Sequence, residues 1–228
     1  MTDLSSLSKI PMVSESDIDM VEIILLKWKV PNIESESVSK IIHHTSWPFK
    51  LVVYDNRWNT PNAARIWNKL IRQATCEYIC LLDSDAFVPS GPEPCWLTRM
   101  METFSHHPDC KLVIPVTNRC SSPQQKVPVE AYPSVERNDE VWSGFCFLFR
   151  RTLMDEVGWF DEDFVGYGQD SEFSIRLARA GGGTYVRKDV FVEHVHGASF
   201  GEATRTGQYD AQADRAYAQA LYLQKING

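Results

Sequence analysis

The sequence predicts an α/β fold, a Rossmann-like mixed sheet with helices on both faces, built as a single domain. Three observations predict it. Residues 21–90 alternate apolar runs of strand length with helical segments in the order β-α-β-α-β. Each apolar run closes in a polar loop. The length, 228 residues, suits one domain of the larger α/β kind.

Residues 1–20 are polar and acidic, with no basic start and no apolar centre, and read as an N-terminal arm, not a secretory leader. Val21-Glu-Ile-Ile-Leu-Leu26 is the first strand, ended by Trp28 and Pro31. Ser35 or Ser37 can cap a helix running to about His44. Phe49-Lys-Leu-Val-Val-Tyr54 is the second strand and closes at Asp55. Ala63, Ile66, Trp67, Leu70 and Ala74 recur at helical spacing. The third strand, Tyr78-Ile-Cys-Leu-Leu82, reads as buried in a parallel sheet and stops abruptly at Asp83-Ser84-Asp85.

Further on, Leu97, Met100, Met101 and Phe104 share a helix face, and Leu112-Val-Ile-Pro115 is a fourth strand. Residues 117–140 are long, polar and proline-bearing, the character of a functional lid or mobile segment. Trp142 to Phe149 is an aromatic-rich strand, and Arg150 to Val157 a short helix. A loop dense in aromatics and acids follows over 158–168. Gln169 to Ala180 is a helix stopped by Gly181-Gly-Gly183. Thr184–Val186 and Val190–Val192 are short strands leading to His194 and His196, and a helix runs from about Gly207 to Ile226.

Several classes are excluded or disfavoured. No apolar run approaches the ~20 residues that span a bilayer. Six cysteines without a C-x-x-C pair read as reduced thiols, which points to the cytoplasm. A net charge of −7 argues against a large nucleic-acid footprint. The first strand lacks a G-x-G-x-x-G turn after it, which disfavours a dinucleotide-binding fold.

The chemistry gathers at strand ends, where open α/β sheets bind ligands. Asp83 and Asp85 are too short, and too costly to desolvate, to serve packing. An Asp-x-Asp there suits a divalent cation holding phosphate, with a polar turn as the plain alternative. Asp55 is a second strand-end carboxylate. Asp170 and Glu172 are either functional or simply first-turn acids favoured by the helix dipole. His194 and His196 alternate onto one strand face, so either or both can reach a metal.

These residues, in this order, resemble a family. Leu-Leu-Asp83-Ser-Asp85, Val157-Gly-Trp-Phe-Asp161-Glu162, Gly168-Gln-Asp170-Ser-Glu-Phe-Ser-Ile-Arg176 and His194-Val-His-Gly-Ala-Ser199 follow the pattern of GT-A fold nucleotide-sugar glycosyltransferases, family 2, rhamnosyltransferase-like group. The resemblance spans about residues 21–200; the arm and the terminal helix take no part. It implies a hexosyl- or pentosyltransferase that uses Mn²⁺ or Mg²⁺ and a UDP-, dTDP- or GDP-linked donor. It implies a donor half over 21–116, an acceptor and catalytic half over 117–200 and a C-terminal helix over 201–228. It implies donor contacts from Asp55, Asp83, Ser84 and Asp85. Asp85 and His194 would bind the metal, with His196 as a further candidate, and Asp170 would be the general base of an inverting transfer. Trp142, Ser143, Gly144 and Gln169 would face the acceptor.

Two positions depart from the family. Gln169 replaces a frequent Glu, and Lys27-Trp28-Lys29 ends the first strand where a polar Thr, Pro, Tyr or Asn is usual. Trp28 can stack on a donor base or pack as a surface aromatic. The acceptor class stays open among glycan, lipid-linked sugar, protein and modified DNA base. A phosphatase with Asp-x-Asp is disfavoured because Ala86-Phe87 follows the motif. A nucleotidyltransferase would need a Gly-rich basic loop after strand one. A retaining transferase and a non-catalytic sugar-binding module remain as alternatives.

Overall fold

A computed structural model of the chain describes residues 20–28, 30–56, 62–126, 128–130, 133–195, 198–207 and 209–227. The arm at 1–19 and the metal candidate His196 lie outside the described residues.

The order is β1 (Val21–Lys27), α1 (Pro31–His44), β2 (Phe49–Asp55), α2 (Ala63–Gln73), β3 (Tyr78–Asp83), β4 (Ala86–Phe87), α3 (Trp96–His106), β5 (Leu112–Val116), β6 (Val135–Arg137), β7 (Cys146–Arg150), α4 (Leu153–Val157), α5 (Gln169–Arg179), β8 (Thr184–Phe191), β9 (Glu193–His194), α6 (Ala198–Arg205) and α7 (Ala211–Asn227). Seven strands form one sheet in the order β2-β1-β3-β7-β5-β8-β6, and β4 and β9 form a separate ribbon. β1 runs parallel to β2 and β3, as a β-α-β-α-β lead-in requires. β7 is antiparallel to both of its neighbours, which makes the sheet mixed.

Alternation along the strands divides the core between two faces. Ile23, Leu25, Cys80 and Leu82 pack with Leu97, Met100 and Phe104 of α3 on one side. Ile24, Ile79 and Leu81 pack with Trp67, Leu70 and Ile71 of α2, and with Phe173 and Leu177 of α5, on the other. All of these side chains are buried, so β1 from Ile23 to Leu26 and β3 from Tyr78 to Leu82 read as continuous apolar runs and show no period of two.

Three elements show how the structure departs from the sequence expectation. α1 begins at Pro31, not at a serine cap; proline suits the first helical turn, which needs no N–H there. Ser37 instead lies buried inside α1 and donates to the Ala86 carbonyl over 2.9 Å, tying the helix to β4. Residues 184–191 form one strand, held by parallel pairing with β5 and antiparallel pairing with β6. The aromatic strand starts at Cys146, because residues 142–145 turn toward the strand ends to carry site groups.

Candidate active site

β3 delivers Asp83 to the rim of a cavity of about 900 Å³, and the turn after it delivers Ser84 and Asp85. The β4–β9 ribbon brings in the third group. Ala86 pairs with His194, and Val195 N–H donates to the Asp85 carbonyl over 2.9 Å. One ligand atom each from Asp83, Asp85 and His194 falls within 4.8 Å of the others. His194 Nε2 lies 3.4 Å from Asp85 Oδ1 and 3.9 Å from Asp83 Oδ2.

The imidazole is held from the far side. Its Nδ1 sits 2.9 Å from the Arg119 carbonyl, its backbone N–H donates to Asn118 Oδ1 over 2.8 Å, and its ring stacks on Phe145 at 5.1 Å. A carbonyl at Nδ1 turns Nε2 toward the two carboxylates, the usual outer support of a metal-ligating histidine. Two carboxylates and one imidazole so held fit a divalent cation, and the nitrogen donor favours Mn²⁺ over Mg²⁺.

The carboxylates crowd one another. Burial first, then the charges of Asp85 and Asp170, push the Asp83 carboxyl up to about 7, against the pull of His194. Its side chain nevertheless keeps 39% of its area open, toward the cavity. Burial opposes charge on His194, but the hydrogen bond its ring donates to Asp85 and the two acidic charges prevail and raise its pKa.

Asp170 stands in the first turn of α5, after Gly168, whose φ of +91° starts the helix. A Cβ at Gly168 would also lie 2.8 Å from the Phe164 ring, so this position is closed to side chains on both counts. Burial raises the Asp170 pKa, while N–H groups of Gly144 and Ser171, each donating over 2.8 Å, hold it down. The result is a desolvated carboxylate fixed by two donors, facing the cavity.

Gly144 is required there by space. A Cβ would stand 2.9 Å from Asp170 Cβ and 3.3 Å from its Oδ2. Gly144→Ala is expected to push the Asp170 carboxylate off its N–H donors and destabilise the fold by about 1–3 kcal/mol, read as a lower melting temperature.

The other candidates separate into two sets. Trp28, Ser84, Ser143, Gly144 and Gln169 line the cavity with Asp83, Asp85, Asp170 and His194. Trp28 is buried and meets Tyr209 edge-on at 5.5 Å. Ser143 Oγ is engaged by the backbone N–H groups of Ser121 and Ser122 at 3.1 and 3.3 Å, so it fastens the 117–126 segment more than it faces a ligand. Asp55 is exposed and outside the cavity lining, where its neighbour Asn56 stands instead. Trp142 also lies outside the lining. It is buried among Phe147 at 4.9 Å and Phe173 at 6.5 Å, because an indole gains more from that aromatic core than from a polar rim.

Sequence reading missed three contributors. Gln125, fully buried, accepts the Ser143 N–H over 2.8 Å and so shapes the polar segment 117–140. Asn68 of α2, also buried, brackets Phe160 by donating to its carbonyl over 2.8 Å and accepting from its N–H over 3.0 Å. α7 forms a wall of the cavity through Arg215, Ala218, Gln219 and Tyr222. A polar residue inside the apolar α2 stripe was the one available signal, at Asn68.

Residues 34–164 match the family described as glycosyl transferase family 2. No curated protein matches. Among solved structures, the mannosyltransferase PcManGT from Pyrobaculum calidifontis, in complex with GDP-Man and Mn²⁺, is similar with a TM-score of 0.65 at 18% identity, over 90% of this chain and 63% of that one. GalNAc-T7 with UDP, GalNAc and Mn²⁺ is similar with a TM-score of 0.58 at 12% identity, over 79% of this chain and 44% of that one. TarS of S. aureus is similar with a TM-score of 0.58 at 14% identity, over 90% of this chain and 43% of that one. The chain therefore spans less than two thirds of each of these proteins, and the likeness is one of fold.

Proposed function

Since the chain belongs to glycosyl transferase family 2, we propose that it moves a sugar from a nucleoside-diphosphate sugar to an acceptor hydroxyl, with inversion and with Asp170 as the general base. One observation carries this reading: the Asp83, Asp85 and His194 cluster opens into the same cavity as a half-buried carboxylate held by two backbone donors.

Each part has a chemical task. Asp85 and His194 would hold a divalent cation, Mn²⁺ before Mg²⁺, which would stabilise charge on the departing nucleoside diphosphate, while Asp83 would serve the cation's surroundings or the ribose. Trp28, Ser84 and Asn56 line the donor end. Asp170 takes the proton from the attacking hydroxyl; burial raises its basicity, and its donors keep it aimed. The donor half is residues 21–116 and the acceptor half 117–200, with α7 added to the latter. Among the described residues no helix is long and apolar enough to cross a membrane. The cytoplasmic placement rests on the six free cysteines.

A thermal-shift panel tests this reading. Mn²⁺ with a UDP-, GDP- or dTDP-sugar is expected to stabilise the fold, by about 2.7 kcal/mol at a hundredfold excess over Kd. UDP and GDP sugars head the panel because two of the similar structures hold UDP or GDP-Man. The response should grow with pH. Between its ordinary value and about 7, Asp83 keeps a proton in the folded chain that the unfolded chain has released. Stability without cation therefore falls as pH rises through that window. A cation needs the carboxylate, so its stabilisation is larger at pH 8 than at pH 6. No Mn²⁺-dependent nucleotide response at either pH would overturn the proposal.

A further inference from the structure

The terminal helix α7 lies beyond the family match, yet it closes one side of the cavity. The described residues that line this cavity include four carboxylates, Asp83, Asp85, Glu140 and Asp170, and one guanidinium, Arg215. Arg215 is held by an aromatic partner. Its guanidinium carbon is 4.6 Å from the centroid of the Tyr167 ring, and its Nη2 donates to the Tyr167 hydroxyl over 3.2 Å. The adjacent acid, Asp214, is committed elsewhere, accepting from Gly166 N–H over 3.1 Å and from the Tyr209 hydroxyl. A guanidinium stacked on a ring keeps its edge N–H groups for a planar, two-oxygen anion.

Position decides which anion. Tyr167 stands directly before Gly168, Gln169 and Asp170, at the base end of the cavity. Gln169 Oε1, in the same wall, is buried with no hydrogen-bond partner among the described residues. The leaving diphosphate belongs to the Asp83, Asp85 and His194 end, where a cation answers its charge. Arg215 is left to answer charge on the other substrate.

We propose that Arg215 selects an acceptor that carries a phosphate or carboxylate group close to its reacting hydroxyl; this rests on the transferase reading above. The guanidinium bonds the anionic group, Tyr167 fixes the guanidinium, and the hydroxyl is thereby presented to Asp170. Gln219 and Tyr222, one and two turns further along α7, flank the same space.

Titration calorimetry on the full chain tests it. Wild-type protein and Arg215→Gln are saturated with Mn²⁺ and UDP or GDP, then titrated with glucose, glucose 6-phosphate and glucuronate. Wild type is expected to bind at least one charged sugar about tenfold or more tightly than glucose, the size of a charged hydrogen-bonded pair. Arg215→Gln is expected to erase that preference and to keep nucleoside-diphosphate affinity within twofold. Arg215 is exposed, so matched melting temperatures verify the fold. Equal affinity of wild type for all three sugars overturns the proposal. So does a variant that retains the preference, or one that loses nucleoside-diphosphate affinity, which would move Arg215 to the donor. A wild type that binds no nucleoside diphosphate with Mn²⁺ overturns the transferase reading itself and takes this inference with it.

Discussion

Asp85→Asn is expected to lower sugar transfer on the order of 10³-fold, because charge stabilisation by a cation is worth several kcal/mol. Asn keeps the shape of the side chain but gives up its charge. Asp85 is buried and 3.4 Å from His194 Nε2, so the lost charge belongs to the centre of the cluster. The variant should still fold. Its backbone carbonyl continues to accept Val195 N–H, and removing one of two crowded carboxylates relieves Asp83. Mn²⁺-dependent stabilisation by nucleotides should disappear in the same variant. Full retention of metal-dependent turnover would sink the assignment of the cluster.

Asp170→Asn is expected to behave oppositely on binding. Transfer should fall about 10²–10⁴-fold, the usual worth of a positioned base. Donor affinity, measured by calorimetry with Mn²⁺, should change less than about twofold. The amide can accept only one of the two N–H groups, from Gly144 and Ser171, that the carboxylate now accepts. A modest loss of stability, about 1–3 kcal/mol, should therefore accompany the kinetic loss. Equal losses in donor affinity and turnover would place Asp170 on the donor side and leave the base unassigned.

The parts legible in the sequence were those written as local pattern. The apolar runs of β1, β2 and β3 and the helical stripe of α2 announce themselves through periodicity. Asp83 and Asp85 announce themselves by standing where packing has no use for a short acid, whereas Asp170, by itself a plain first-turn acid, is singled out by the family resemblance. Other features depend on pairing across long separations. β4 and β9 are two residues each, too short to carry a pattern. The antiparallel insertion of β7 between β3 and β5 leaves the same apolar run that a parallel strand would. The merged strand β8 hides behind its charged residues Arg187, Lys188 and Asp189, since Arg187 is buried and paired with Asp189 at 2.6 Å. Trp142 and Asp55 show the converse: residue type alone does not reveal which way a side chain at a strand end faces. α7 was legible as a helix, but nothing in its composition tells which surface it covers.

The β4–β9 ribbon has a consequence for how the protein comes into being. The two carboxylates are made early in the chain and the imidazole late, and the β4–β9 pairing, with the bond from Val195 N–H to the Asp85 carbonyl, joins them. A nascent chain that has reached β8 already owns both acids, yet it lacks the ribbon that would seat the third donor. Contacts between distant segments form after local ones, because the intervening chain must first be ordered. The three candidate ligand groups therefore meet only once the sheet is complete. On the proposed reading, capture of a cation would be a certificate of finished assembly, issued by two pairs of residues at the end of folding.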